Sequence, residues 1–200
     1  MYLVGLTGGI AAGKTAVAAR WVELGAIEID ADVLAREAVA AGTEGLREVS
    51  DLFGNDILLP DGSLDRAALA AVVFTDPHKR EQLEAIVHPR VRQLAAEQLN
   101  LLPSDSIVVY TVPLLVEADV TLPFDKVVTV EAPEQVRIDR LIETRGLTKD
   151  QAIARIKNQA SPAERANRAD VILNSNQSLQ LLLKDAESLW KQIVREASEQ

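Results

Sequence analysis

Apolar and β-branched residues along this chain fall into five short runs: Tyr2–Leu6, Ile27–Ile29, Ile107–Val112, Lys126–Val130 and Val171–Leu173. Runs of this length, rich in Val and Ile, predict β-strands. Between them apolar positions recur at helical spacing, which predicts helices over 14–24, 32–41, 64–73, 77–101, 134–145, 148–158 and 178–197. Two of these have legible starts. Asp76 precedes Pro77, and Ser178 precedes an apolar-periodic run. A short oxygen-bearing side chain at the cap satisfies an orphan N–H of the first turn, and proline at the first helical position gives up no bond. Alternation of this kind predicts an α/β fold in three layers, a five-stranded, mostly parallel sheet with helices on both faces. The second strand is expected to pair beside the first. Residues 44–103 carry helical patterns and no strand, so they are expected to form a helical substructure at one edge of the sheet. Residues 134–168 are expected to form a helical hairpin that turns at Arg145-Gly146. Residues 1–200 read as a single domain.

One stretch departs from simple patterning. Gly8-Gly9-Ile10-Ala11-Ala12-Gly13-Lys14-Thr15 fits G-x-x-x-x-G-K-[ST], directly after the first predicted strand and directly before an alanine-rich helix that continues through Ala16. Gly8 and Gly13 permit backbone angles and close approach that a side chain blocks. Successive N–H groups then line a concavity for phosphate oxygens, and the following helix adds its partial positive charge. Lys14 is expected to reach the β- and γ-phosphates, and the Thr15 hydroxyl to ligate Mg²⁺. The loop therefore predicts a nucleoside triphosphate site with Mg²⁺, its ligands drawn from Gly8 to Ala16.

Asp30-Ala31-Asp32 closes the second predicted strand, and ligands of open parallel sheets lie at the carboxyl ends of strands. A carboxylate there can orient an acceptor hydroxyl in line with a γ-phosphate. Asp32 fits a second role equally well, as N-cap of the helix after it. His88 before Pro89 is open in the same way, as an acceptor contact or as the mark of a helix start.

Charge and composition narrow the class. The chain carries −9 overall, so it lacks the basic field that general binding to nucleic acid requires. Residues 134–168 run against that trend. They hold eight Lys/Arg and five Asp/Glu, a local excess of +3, while the rest carries −12. Such an island suits a compact anion, and equally a salt-bridged solvated helical face. With no cysteine there is no disulfide and no thiolate chemistry. The N-terminus has no basic region before its apolar stretch and no run is long enough to span a bilayer, so a soluble, cytoplasmic protein without membrane attachment is expected. A guanine-reading N-K-x-D stretch is absent, Asp51-Leu52-Phe53-Gly54 does not follow a strand, and no aspartate ends Ile107–Val112. These features disfavour GTPases and motor-type ATPases. A kinase acting on a small molecule fits best, with a nucleoside or nucleoside-monophosphate kinase and a non-catalytic nucleotide-binding regulator as the other readings.

Further motifs occur in order: Gly5-Leu6-Thr7-Gly8-Gly9-Ile10, Asp30-Ala31-Asp32 followed by Ala35-Arg36, His88-Pro89, Val112-Pro113-Leu114-Leu115-Val116-Glu117, and Ala169-Asp170-Val171-Ile172 with Asn174. Together they resemble the dephospho-CoA kinase family, nearly end to end. The resemblance implies a P-loop nucleotide-kinase fold with a helical acceptor-side region (44–103) and a helical lid (134–168). It implies phosphorylation of the ribose 3′-hydroxyl of dephospho-CoA by ATP with Mg²⁺, giving CoA and ADP, the last step of coenzyme A biosynthesis. By that resemblance Asp32 is the catalytic base, Lys14 and Thr15 are the loop lysine and the metal ligand, and Arg140 closes over the transferred phosphate. Asn174 would face adenine, and Thr7, Asp32, Arg36, His88, Leu114 and Glu117 would contact the acceptor. The family commonly shows I-G-S-G-K-S where this chain has Ile10-Ala11-Ala12-Gly13-Lys14-Thr15, a change expected to matter little because backbone N–H groups make the contacts. It often shows N-x-G where this chain has Asn174-Ser175-Asn176, and asparagine is expected to tolerate the left-handed geometry of that glycine. Arg165 keeps the charge of a common lysine. The oligomeric state is left open.

Overall fold

The computed structural model describes residues 1–199 apart from Thr75, Leu114, residues 116–119 and Thr121. These form two compact units, one of Met1–Asp30 with Pro103–Gln200 and one of Ala31–Leu102. The first holds the sheet: β1 (Tyr2–Gly8), β2 (Ile27–Asp30), β3 (Ile107–Thr111), β4 (Lys126–Glu131) and β5 (Val171–Asn174). All four pairings are parallel, in the order β2-β3-β1-β4-β5. Every predicted strand is present.

The expected pairing of β2 with β1 is not found. β3 lies between them, with Val4 opposite Val109 and Ile29 opposite Tyr110. The sequences explain the exchange. Ile-Glu-Ile-Asp alternates apolar and acidic residues and suits an edge, whereas Ile-Val-Val-Tyr-Thr is buried almost throughout and takes the interior place.

Helices α1 (Lys14–Glu23) and α9 (Leu179–Ser198) pack on one face of the sheet. Apolar residues of α9 recur at helical spacing, Leu182, Ala186, Leu189, Trp190 and Ile193, and all are buried against Val4, Leu6, Val17 and Trp21. Trp21 is 0% exposed and its Nε1–H donates to the Ala186 carbonyl at 2.8 Å. Its ring lies 6.1 Å from that of Trp190. Both tryptophans are core residues.

The segment 134–168 is three helices rather than a hairpin: α6 (Glu134–Arg145), α7 (Lys149–Lys157) and α8 (Pro162–Arg168). The expected turn is present, with Gly146 capping α6 at φ 61°. The unpredicted α8 starts with a reciprocal cap, in which Ser161 Oγ accepts from Glu164 N at 3.2 Å and Glu164 accepts from Ser161 N at 2.7 Å.

The second unit is helical: α2 (Ala31–Ala38), α3 (Glu44–Phe53), α4 (Arg66–Phe74) and α5 (Pro77–Asn100), around a cluster of Val39, Leu46, Val49, Ile57 and Leu69. Asp76 caps α5 as expected, accepting from His78 N at 3.0 Å and Lys79 N at 3.2 Å. His88-Pro89 does not start a helix. Pro89 lies inside α5, where the Arg90 side chain donates to the Ile86 carbonyl of the preceding turn at 2.7 Å and to Glu48 at 2.6 Å, holding the helix to α3 across the proline.

Because Trp21 fills the centre of the main core and its N–H is bonded, Trp21→Ala should destabilise the protein by about 3–5 kcal/mol. Trp21→Phe should lose less. Urea unfolding measures both, as a lower midpoint at unchanged slope.

Candidate active site

β1 ends at Gly8 and α1 begins at Lys14, so the predicted loop is present between them. A Cβ at Gly8 would stand 2.6 Å from the Val130 carbonyl oxygen, and Gly13 takes φ 106°. Within the loop Ala12 N donates to the Gly9 carbonyl at 2.9 Å. Gly13 offers no side-chain cap to α1; Ala16 N donates to the Gly13 carbonyl at 3.1 Å, which leaves the Lys14 and Thr15 N–H groups of the first turn available to an anion. Lys14 is half-buried at that helix start and the Thr15 hydroxyl is exposed beside it.

Ala11 carries the strain of the turn. Its φ is 60°, and it is the only non-glycine among the described residues with positive φ. The left-handed conformation, costing an L-residue roughly 1–2 kcal/mol, was expected at the asparagine turn after β5 and falls in the loop instead. At Asn174-Ser175-Asn176 the turn closes through a side chain, with Asn174 Oδ1 accepting from Asn176 N at 2.8 Å.

Two sets of contacts hold Ala11 in place. Arg140 Nη1 donates to the carbonyls of Ala11 (3.1 Å) and Ala12 (3.4 Å) and to Ser175 Oγ (2.8 Å), while Nη2 donates to the Ser175 carbonyl (2.8 Å). Ile10 and Ala11 pack against Ile138, Leu141, Ala152 and Ile156 of α6 and α7. Arg140 thus braces the loop to the turn after β5.

Three residues that sequence reasoning did not assign to the site also meet the loop. Gln159, between α7 and α8, accepts a hydrogen bond from Ile10 N at 2.8 Å. Arg165 is 1% exposed and bidentate to Glu131, with Nε–Oε1 at 2.5 Å and Nη2–Oε2 at 2.7 Å. Arg137 is 3% exposed beside them. Burial first, and the neighbouring Arg165 charge second, pull the Arg137 guanidinium below its ordinary pKa. The +3 charge of 134–168 was the one signal available in the sequence.

The remaining predicted residues are placed as follows. Thr7 is buried in β1, its Oγ1 donating to the Pro113 carbonyl at 3.5 Å. Asn174 ends β5, exposed, and lines a cavity of about 600 Å³ with Arg137, Gln159 and Glu131. In the helical unit, Asp32 and Arg36 are exposed one turn apart on α2, and His88 is half-buried in α5. The cap role for Asp32 is revised: α2 begins at Ala31, so Asp32 sits inside the first turn, where a carboxylate still complements the helix dipole. Leu114 and Glu117 lie outside the described residues.

Comparison with known proteins decides the family. The dephospho-CoA kinase sequence model matches residues 2–180. This chain belongs to the dephospho-CoA kinase family. It is 45% identical to the dephospho-CoA kinase of Frankia casuarinae over 97% of this chain and 84% of the relative. For that of Streptomyces avermitilis the identity is 44%, over 98% and 96%. The relative from Mycolicibacterium paratuberculosis is 46% identical over 97% of this chain, which spans only 48% of that longer protein. Among solved structures, TT1252 from Thermus thermophilus superposes with a TM-score of 0.82 at 33% identity, covering 96% of this chain and 97% of that one. The dephospho-CoA kinase from Campylobacter jejuni gives a TM-score of 0.66 at 23% identity over 96% of each chain, a likeness of fold. The α/β kinase fold expected from the motifs is the one observed. Among the described residues no helix is long and apolar enough to cross a membrane.

The strain at Ala11 is testable. Ala11→Val places a β-branched residue at positive φ and should cost about 2 kcal/mol or more, whereas Ala11→Gly should leave stability within about 1 kcal/mol of the parent. Thermal unfolding of the two variants without nucleotide reads the difference.

Proposed function

We infer that this protein is an ATP-dependent dephospho-CoA kinase that phosphorylates the ribose 3′-hydroxyl of dephospho-CoA, giving CoA and ADP, as a cytoplasmic enzyme. The observation that carries the reading is the uncapped start of α1 behind a Gly8–Thr15 loop, in a chain of this family. That helix start, the loop N–H groups and Lys14 form an anion cradle fitted to a triphosphate. Thr15 offers an exposed hydroxyl at the same helix start, which suits Mg²⁺ because that ion takes few protein oxygens and shares its other positions with phosphates and water. When bound, Mg²⁺ would neutralise charge on the phosphates.

The chain's own residues divide the work. Lys14 holds the β- and γ-phosphates in line with the acceptor. Asp32 takes the proton of the 3′-hydroxyl as that oxygen attacks, leaving CoA and ADP. Arg36 on the next turn of α2, with Thr7, His88, Leu114 and Glu117, is assigned to the acceptor side. Asn174 is assigned to the adenine. Arg140 acts over the phosphates and, through its bonds to Ala11 and Ala12, as a positioning residue for the loop. Transfer of this kind rests on positioning and charge stabilisation, so one carboxylate base suffices.

ADP release with ATP and Mg²⁺ tests the reading. Dephospho-CoA should support turnover, while adenosine, AMP and shikimate should not; ADP release independent of acceptor would refute the assignment. Asp32→Asn should lower kcat about 10²–10⁴-fold with ATP affinity largely kept. Lys14→Ala should weaken ATP binding and rate together. Unchanged turnover in Asp32→Asn would remove that residue from the chemistry.

A further inference from the structure

Two guanidiniums meet the phosphate loop at the same point. A Cβ on Gly9 would collide with Arg137 Nη1 and stand 3.0 Å from Arg165 Nη2, so the bare Cα of this glycine is what lets both cations reach the loop backbone. Their situations differ. Arg165 has a carboxylate of its own, Glu131, and donates as well to the Ala160 carbonyl. Arg137 Nε and Nη1 are the only buried side-chain nitrogen or oxygen atoms among the described residues that lack a hydrogen-bond partner. Glu131 is already taken by Arg165 and by the Thr129 hydroxyl at 2.8 Å. Glu134, the other carboxylate near Arg137, stands exposed in the first turn of α6.

A guanidinium withdrawn from water without an acceptor is unfavourable, and a neighbour of like charge makes it more so. Folding alone does not explain such a group; an anion that completes it does. The loop indicates which anion. The α1 start stands at its helix end and takes the phosphates that ADP and ATP share, with Lys14 reaching from the β-phosphate towards the terminal one. Gly9 lies at its strand end, leaving the Arg137–Arg165 pair for the group that distinguishes the two nucleotides.

We propose that Arg137 is a ligand of the terminal phosphoryl group of ATP, donating its unpartnered N–H groups to oxygens of that group beside Gly9, with Arg165 held next to it by Glu131 as the supporting charge. The assignment rests on the loop being an ATP site but not on the identity of the acceptor. Binding can therefore test it apart from turnover.

The experiment compares Arg137→Met with the parent in two measurements. Calorimetric titration with Mg²⁺ and either AMP-PNP or ADP should show AMP-PNP affinity falling about tenfold or more, with ADP affinity within about twofold. Thermal unfolding without nucleotide should show the variant at least as stable as the parent, since an unpartnered buried charge has been replaced by an apolar chain of similar length. Arg137→Lys should recover part of the AMP-PNP affinity. An unchanged AMP-PNP to ADP ratio overturns the proposal, as does an equal loss for both nucleotides. A variant that is less stable while keeping the parental ratio assigns Arg137 to the fold instead. If the parent protein binds neither nucleotide, the ATP site fails and this proposal with it; if it binds both but dephospho-CoA is not phosphorylated, only the acceptor assignment fails.

Discussion

The ion pair between Arg165 and Glu131 anchors the segment that carries Gln159 and α8 against the phosphate loop. Glu131 is the last residue of β4, and Arg165 belongs to α8, a helix of seven residues that has little apolar surface with which to hold itself down. The bidentate bond, nearly sealed from water, fixes that short helix to the sheet. A pair so placed is valuable less for net stability than for geometry, because either partner left alone would be a buried charge. With α8 fixed, the connection from α7 is fixed too, and with it Gln159. Removing Glu131 would strand two guanidiniums beside one glycine.

Much of this was legible along the chain, and the reasons are physical. Strands buried on both faces need continuous apolar runs, so β1, β3 and β4 stood out, and the phosphate loop stood out because its backbone dictates its composition. The order of the sheet was not legible in the same way. A short apolar run does not name its neighbour; only the comparison of acidic alternation in β2 with the uninterrupted apolar β3 explains which took the interior place. The helix α8 escaped notice because seven mostly polar residues carry no periodic signal, even though Ser161, Pro162 and Glu164 spelled a helix start.

At the site the division falls between backbone and side chain. Lys14 and Thr15 announce themselves by spacing. Arg137 does not, since eight cations in 134–168 look alike until the fold turns two of them, Arg137 and Arg165, inward. Ala11 is similar: its left-handed backbone follows from how Arg140 and the α6–α7 surface grip the loop, and no local residue preference points there. Asp32 sits between these cases, carried by position at the end of a strand and by family resemblance, with its helix starting at Ala31, two residues earlier than the cap reading required.

The hydrogen bond from Ile10 N to Gln159 has a thermodynamic consequence for the loop. That N–H is satisfied by an amide oxygen of the protein itself. An anion oxygen that takes it exchanges one acceptor for another, so binding gains only the difference between a charged acceptor and a neutral one. A weak anion therefore gains little at this position. A lone inorganic phosphate must displace an internal competitor with few contacts to recover the loss, while a ligand that also engages the α1 start and Lys14 displaces it as one step among many. The single amide of Gln159 thus weights the loop toward ligands that make many contacts at once.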